Sequence, residues 1–177
     1  MKRVKSTLND EITLKDVTAS APDKISAARA LAFDGFGKQI HSILDSWLSD
    51  SKFLLRDEAI SLLIGTWGHQ KYVPKAIQML HDDPNWSVRS TSAKSLATFA
   101  NNFIEGQKYK DQIIKELLIS LINDNNSFVQ QNSYKGLYSL INKKKLVEDK
   151  DYFDRNIDVD WNLLQRYLEK FDLQKPI

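Results

Sequence analysis

Apolar side chains return along this chain at steps of three and four. Val88, Ser92-Ala93 and Leu96 make one such stripe, Val73, Ala76, Ile77 and Leu80 a second, and Ile113, Ile114, Leu117, Leu118 and Leu121 a third. That spacing puts every member of a stripe on one face of an α-helix. Comparable stripes run through Phe36-Ile40-Ile43-Leu44-Trp47, Leu55-Ala59-Ile60-Leu63, Val129-Ser133-Tyr134-Leu137 and Trp161-Leu164-Tyr167-Leu168-Phe171. Clusters of Asp, Asn and Ser stand between them and supply caps and turns. The pattern predicts an all-α chain.

The stripes are related to one another. When Val88 is set against Leu55 and Val129, an Asp stands five positions before each: Asp83, Asp50 and Asp124. A large apolar residue stands one or two before (Trp86; Phe53 or Leu54; Phe128), and Arg89, Arg56 and Gln130 follow directly. Leu96, Leu63 and Leu137 lie eight positions on. The steps are 33 residues, from 55 to 88, and 41 residues, from 88 to 129. Small residues four and five positions in, such as Ser92 and Ala93, let another helix come close. Pro84 fits just ahead of a helix, where its missing N–H costs little. Each of these helices is followed by a second striped segment, so the unit is a helix pair, and it repeats.

The motif Asp-x-x-x-x-Val-Arg-x-x-(Ala/Ser)-(Ala/Ile)-x-x-Leu resembles the HEAT repeat, best at Asp83–Ala97, well at Asp50–Ile64 and partially at Asp124–Tyr138. The resemblance implies a short α-solenoid of about four antiparallel helix pairs, covering residues 23–144. It also implies that Asp50, Arg56, Asp83 and Arg89 form a structural ladder between neighbouring repeats. Gln130 stands where the third copy should carry Arg, which weakens the ladder there.

The ends depart from the repeat. Residues 1–22 lack a clean helical period and are interrupted by Thr7, Asn9, Thr18, Ser20 and Pro22, which predicts a partly extended N-terminal arm. Residues 23–177 form the repeat domain. Lys143-Lys144-Lys145 suits the C-terminus of a helix. Residues 148–160 carry Glu148, Asp149, Asp151, Asp154, Asp158 and Asp160, and read as a solvated acidic linker. A calcium loop starting at Asp154 would need Gly and Glu where Val159 and Gln165 stand. A capping helix over 161–172 then covers the last apolar face, as a solenoid requires.

Composition narrows the function more than it identifies it. The chain has 177 residues, 42 % of them hydrophobic, which suits one globular domain. It has no cysteine, which removes thiolate metal sites and a Cys nucleophile. Its net charge of +2 gives no basic excess for nucleic acid. Its start has no apolar leader and its apolar runs are too short to span a bilayer, so a cytoplasmic protein is expected. No nucleophile elbow, phosphate loop or H-E-x-x-H pair occurs, and His41, His69 and His81 share no ligand spacing. The expectation is a non-catalytic chain with no cofactor and no metal.

A partner would then sit on the concave side of the stack, which the second helices line. On these second helices, the residues opposite each apolar stripe form a strip. These are Lys38, Ser42 and Asp45, then Lys75, Gln78 and Asp82, then Gln112, Lys115 and Ile119. Both signs of charge occur there, which suits a protein surface better than a phosphate backbone. The leading expectation is a protein-binding scaffold, with an inhibitor or immunity protein favoured over an adaptor because one short domain has little room to bridge two partners. The partner's identity and the oligomeric state stay open.

Two alternatives are tied to particular residues. A nucleic-acid-binding or DNA-repair protein would join Lys2, Arg3 and Lys5 to the Lys143–Lys145 run. A bilin-lyase-like chaperone would use Trp67, Tyr72 and Trp86 around an apolar cleft.

Overall fold

The computed structural model describes residues 2–33, 37–142 and 151–176. Among them there is no strand. Ten α-helices follow one another in the described residues: α1 (Lys2–Lys15), α2 (Ala21–Phe33), α3 (Gly37–Trp47), α4 (Phe53–Ile60), α5 (Val73–Asp82), α6 (Trp86–Asn102), α7 (Gly106–Asn123), α8 (Ser127–Asn142), α9 (Arg155–Asp158) and α10 (Trp161–Lys170). The chain divides into two compact units, residues 1–59 and 60–177.

In the first unit, α1 packs on α2. A helix therefore stands where the sequence predicts a partly extended arm. Its stripe is illegible because it buries little. Leu14 is in the core, while Leu8 and Ile12 are more than half exposed. The residues that interrupt the period build the turn instead. Thr18 donates both its N–H and its hydroxyl to Asp16 Oδ1, at 2.8 and 2.7 Å. The two bonds hold the Asp16 carboxyl below its ordinary pKa. Ser20 and Asp23 then exchange hydrogen bonds across the first turn of α2, the Asp23 N–H donating to Ser20 Oγ and the Ser20 hydroxyl to Asp23 Oδ2, which caps the helix. Between α2 and α4, Arg29 grips Glu58 with two bonds, Nε to Oε1 at 2.8 Å and Nη2 to Oε2 at 2.5 Å. Glu58 is buried, and the pair satisfies a carboxylate that would otherwise be costly there.

The second unit opens with a wider π turn at Ser61–Thr66, closed by the Trp67 N–H on the Leu62 carbonyl at 3.0 Å. Gly68 ends it with φ of 65°, and a Cβ there would lie 2.2 Å from the Phe103 ring. Only glycine meets both demands. Helix α6 is the hub, packing against the π turn, α5, α7 and α8. Its apolar side chains Val88, Ala93, Leu96 and Phe99 are fully buried, as are Ile113 and Leu117 of α7 and Leu137 of α8. Helices α6 and α8 cross closely at Gly136 and Ala97. A Cβ added to Gly136 would stand 2.9 Å from the Ala97 Cβ. Small residues are needed on both sides of this crossing, and Ala97 and Gly136, neither of them a position the repeat motif specifies, supply them.

The acidic segment, in its described part from 151 onward, is folded rather than a solvated linker. Asp154 caps α9 through the Asn156 N–H (2.9 Å), Asp158 accepts from the Asp154 N–H (2.8 Å), and Asp160 caps α10 through the Leu163 N–H (3.1 Å). The acids serve local N–H groups, which is why they share no ligand geometry. Phe153 and Val159 are buried, and Phe153 leans on Tyr134 of α8. Tyr134 Oη in turn accepts the Asp160 N–H at 3.1 Å. Burial pushes its phenol above the ordinary value. Arg155 donates to the Ile122 carbonyl at the end of α7. Leu164 and Leu168 of α10 are buried, and Lys170 reaches Asp111 of α7 at 2.6 Å. Residues 143–150, with Lys143–Lys145, Glu148 and Asp149, lie outside the described residues.

Ser92, on α6, has a fully buried hydroxyl with no hydrogen-bond partner. An unpaired buried polar group costs free energy that alanine avoids at nearly the same volume. Ser92→Ala is expected to raise stability by about 1 kcal/mol, read as a higher urea midpoint with an unchanged slope. A loss of stability on this substitution would contradict the packing described.

Candidate functional site

Three turns with the same chemistry lead into α4, α6 and α8. In each, an Asp side chain accepts the N–H two residues on: Asp50 from Lys52 (2.8 Å), Asp83 from Asn85 (2.9 Å) and Asp124 from Asn126 (2.8 Å). In each, the residue six positions after the Asp donates back to the Asp carbonyl: Arg56 at 2.8 Å, Arg89 at 3.0 Å and Gln130 at 2.6 Å. In the later two, Asn85 and Asn126 cap the helix from the N-cap position.

Arg89 does more than close its own turn. Its Nε and Nη2 donate to Asp124 Oδ2 and Oδ1 at 2.7 and 3.1 Å, a bidentate bridge into the next turn. Both side chains are largely buried, and the hydrogen bonding to Asp124 raises the guanidinium pKa. Asp124, which the ladder deduced from the sequence omits, is the acceptor. The signal for it was present, since Asp124 aligns with Asp50 and Asp83. Gln130 keeps the bond within its turn and has no charge to carry a bridge onward.

Trp86 and Phe128 occupy matching places in the second and third turns. Their rings stack at 5.3 Å with 27° between planes, and each is nearly half exposed. Trp86 therefore packs on the following repeat. Trp67, His69 and Tyr72 form a different chain of ring contacts, at 5.9 and 6.5 Å. Of the three aromatics named for a pigment cleft, Trp67 and Tyr72 thus share His69 while Trp86 pairs elsewhere, with Phe128.

The strip residues fall on α3, α5 and α7. In the first unit, Lys38, Ser42 and Asp45 are exposed on α3. In the second, Gln78, Asp82, Gln112 and Lys115 are exposed, while Lys75 and Ile119 are half-buried. Lys75 donates to Gln78 at 3.2 Å, and His81 Nε2 lies 2.8 Å from Glu116 Oε2, tying α5 to α7.

A different surface opens between α6 and α8. It is an open groove of about 380 Å³ whose floor is the Ala97–Gly136 crossing. Lys94, Thr98, Asn101 and Asn102 of α6 face Asn132 and Lys135 of α8 across it, and among the described residues no acid lines it. Asn101 Nδ2 donates to Ser139 Oγ at 2.9 Å and Asn132 Nδ2 to Ser90 Oγ at 2.6 Å. These bonds fix two carboxamides at the rim. Spacing arguments built on apolar stripes miss this surface because its residues are the polar complement of two hub helices.

Removing either end of a buried bidentate pair strands the other charge. Arg89→Ala and Asp124→Ala are each expected to cost about 3 kcal/mol. Chemical denaturation of the double variant is expected to show much less than the sum of the two losses, because the two share one interaction.

Residues 73–103 match the family model described as HEAT repeat. Neither a curated protein nor a solved structure matches the chain. The matched segment runs from the start of α5 to the end of α6. The unit thus begins one helix earlier than the sequence pattern suggests, with α5 as its first helix, the Asp83–Arg89 turn inside it, and α6 as its second. The α5–α6 pair thus matches the HEAT repeat, and the all-helical fold of the described residues is consistent with a short α-solenoid.

Proposed function

We propose that the chain is a non-catalytic protein-binding scaffold whose partner lies along the α6–α8 groove. A HEAT repeat is a protein-interaction unit, which supports the general reading. The groove carries the specific one. It lies on α6, the second helix of the matched unit, and on α8, its counterpart in the next. By the rule that second helices line the inner side of such a stack, this side replaces α5 and α7 as the binding face. On those first helices, Lys75 and Gln78 engage each other and His81 engages Glu116, so fewer polar groups there are open to a partner.

Within this reading, an inhibitor or immunity protein fits better than an adaptor, since one groove holds one partner at a time. No described helix is long and apolar enough to cross a membrane. The nucleic-acid alternative rests on Lys2, Arg3 and Lys5 at the start of α1 and on Lys143–Lys145, which lie outside the described residues.

Thr98→Arg fills the groove without touching the core. Partner protein captured from source-cell lysate by the immobilised chain is expected to fall more than about tenfold, a change of 1.4 kcal/mol or more, with the thermal midpoint little changed. Full capture by Thr98→Arg, with loss in Lys75→Glu/Lys115→Glu, would return the binding face to the first helices.

A further inference from the structure

We infer that the partner's contact is an extended segment with one large apolar side chain laid on the Trp86–Phe128 rings and its main chain held by the carboxamides below them. This deepens the proposed function and rests on it. The segment needs no particular charge, since Lys135 is already engaged.

The ring pair and the groove are one seam. Trp86 opens α6, Phe128 stands in the first turn of α8, and the rings stack at 5.3 Å while each keeps nearly half its surface exposed. One turn down, the Ser90 hydroxyl donates to the Phe128 carbonyl at 3.4 Å and accepts from Asn132 Nδ2 at 2.6 Å. Asn132 lines the groove, which continues past Ala97 and Gly136 to Asn101 and Asn102. Helix α6 covers that distance in 17 residues, about 24 Å. About seven extended residues span the same length.

The polar groups select the conformation. An extended segment has an N–H and a carbonyl at every residue that it cannot satisfy itself. A carboxamide answers both, with two N–H donors and an oxygen that accepts twice. Asn101 spends one N–H on Ser139 and Asn132 one on Ser90, which fixes both side chains and leaves each an oxygen and a second N–H. Asn102 is exposed and makes no side-chain bond among the described residues. A helical segment satisfies its own main chain and would leave these groups unused. It also needs a broad apolar trough, and below the rings the floor is Ala97 and Gly136.

The rings select the anchor. Large aromatic side chains left in water beside a groove are the kind that dominate binding once covered. A nucleic-acid strand fits the seam less well. The rings spend a face on each other, and amides and hydroxyls outnumber cations along the lining.

A random-peptide display library is selected on the purified full chain, and the enriched peptides are labelled and measured by fluorescence anisotropy. They are expected to carry a large apolar residue toward one end, and to weaken about tenfold on Phe128→Ala, which removes an exposed ring. An extended chain turns alternate N–H groups to opposite sides, so N-methylation of every second amide should weaken binding about tenfold in one register and little in the other. Asn102→Ala, which breaks no described bond, should weaken it about threefold. Lys94→Ala should leave it unchanged, and Thr98→Arg should abolish it. Equal loss in both methylation registers, the mark of a helix, or loss in neither would overturn the inference. So would peptides that bind Thr98→Arg as tightly as the parent chain, or a single-stranded oligonucleotide that displaces them at lower concentration. If Thr98→Arg abolishes partner capture while the peptides fail these tests, the scaffold reading survives and the extended segment does not.

Discussion

One guanidinium joins two turns. Arg89 closes its own turn on the Asp83 carbonyl and reaches forward to both oxygens of Asp124. Asp124 is meanwhile occupied at its own turn by the Asn126 N–H. Neither residue can shift without opening a turn that caps a long helix. The planar fork of arginine makes this possible, since it presents several donors at fixed angles. The bridge therefore sets where α8 starts relative to α6, and with it the register in which Gly136 meets Ala97. The groove above that crossing inherits its shape from the same constraint.

Much of this was legible in the residues. Stripes of Val, Leu and Ile at helical spacing revealed every long helix of the second unit, because those helices are buried on one side and the pattern records burial. The recurring Asp, Arg and small residues revealed the repeat, because a turn with several simultaneous hydrogen bonds tolerates few alternatives. Helix α1 was not legible. It buries Leu14 but exposes Leu8 and Ile12, so no apolar face distinguishes it from an extended arm. The acids of the C-terminal segment misled for a related reason. Charge in a sequence suggests solvent, whereas Asp154, Asp158 and Asp160 are fixed on neighbouring main-chain N–H groups.

The phase of the repeat was the more consequential ambiguity. In an alternating series of helices, any helix can be paired with the one before it or the one after it. The hydrophobic pattern is the same in both cases. The family match at residues 73–103 resolves this for one unit, and it exchanges first helices for second. The strip of Lys75, Gln78, Lys115 and their neighbours then belongs to the other layer. The polar residues of α6 and α8 that matter most to the proposed function carry no periodic signal of their own. They become visible as a set only when the two helices lie side by side.

Gln130 gives the array a direction. It repeats the inward half of what Arg89 does, donating to the Asp124 carbonyl, and without a positive charge it has no outward half. A further copy of the unit placed after α8 would arrive with an aspartate and find no cation waiting for it. What meets α8 instead is the aromatic and acidic segment around Phe153 and Asp160, held by a tyrosine hydroxyl. A unit duplicated after α8 would thus lack the bridge that Arg89 makes until arginine stood at position 130, so a neutral side chain marks a pause in an otherwise extensible grammar.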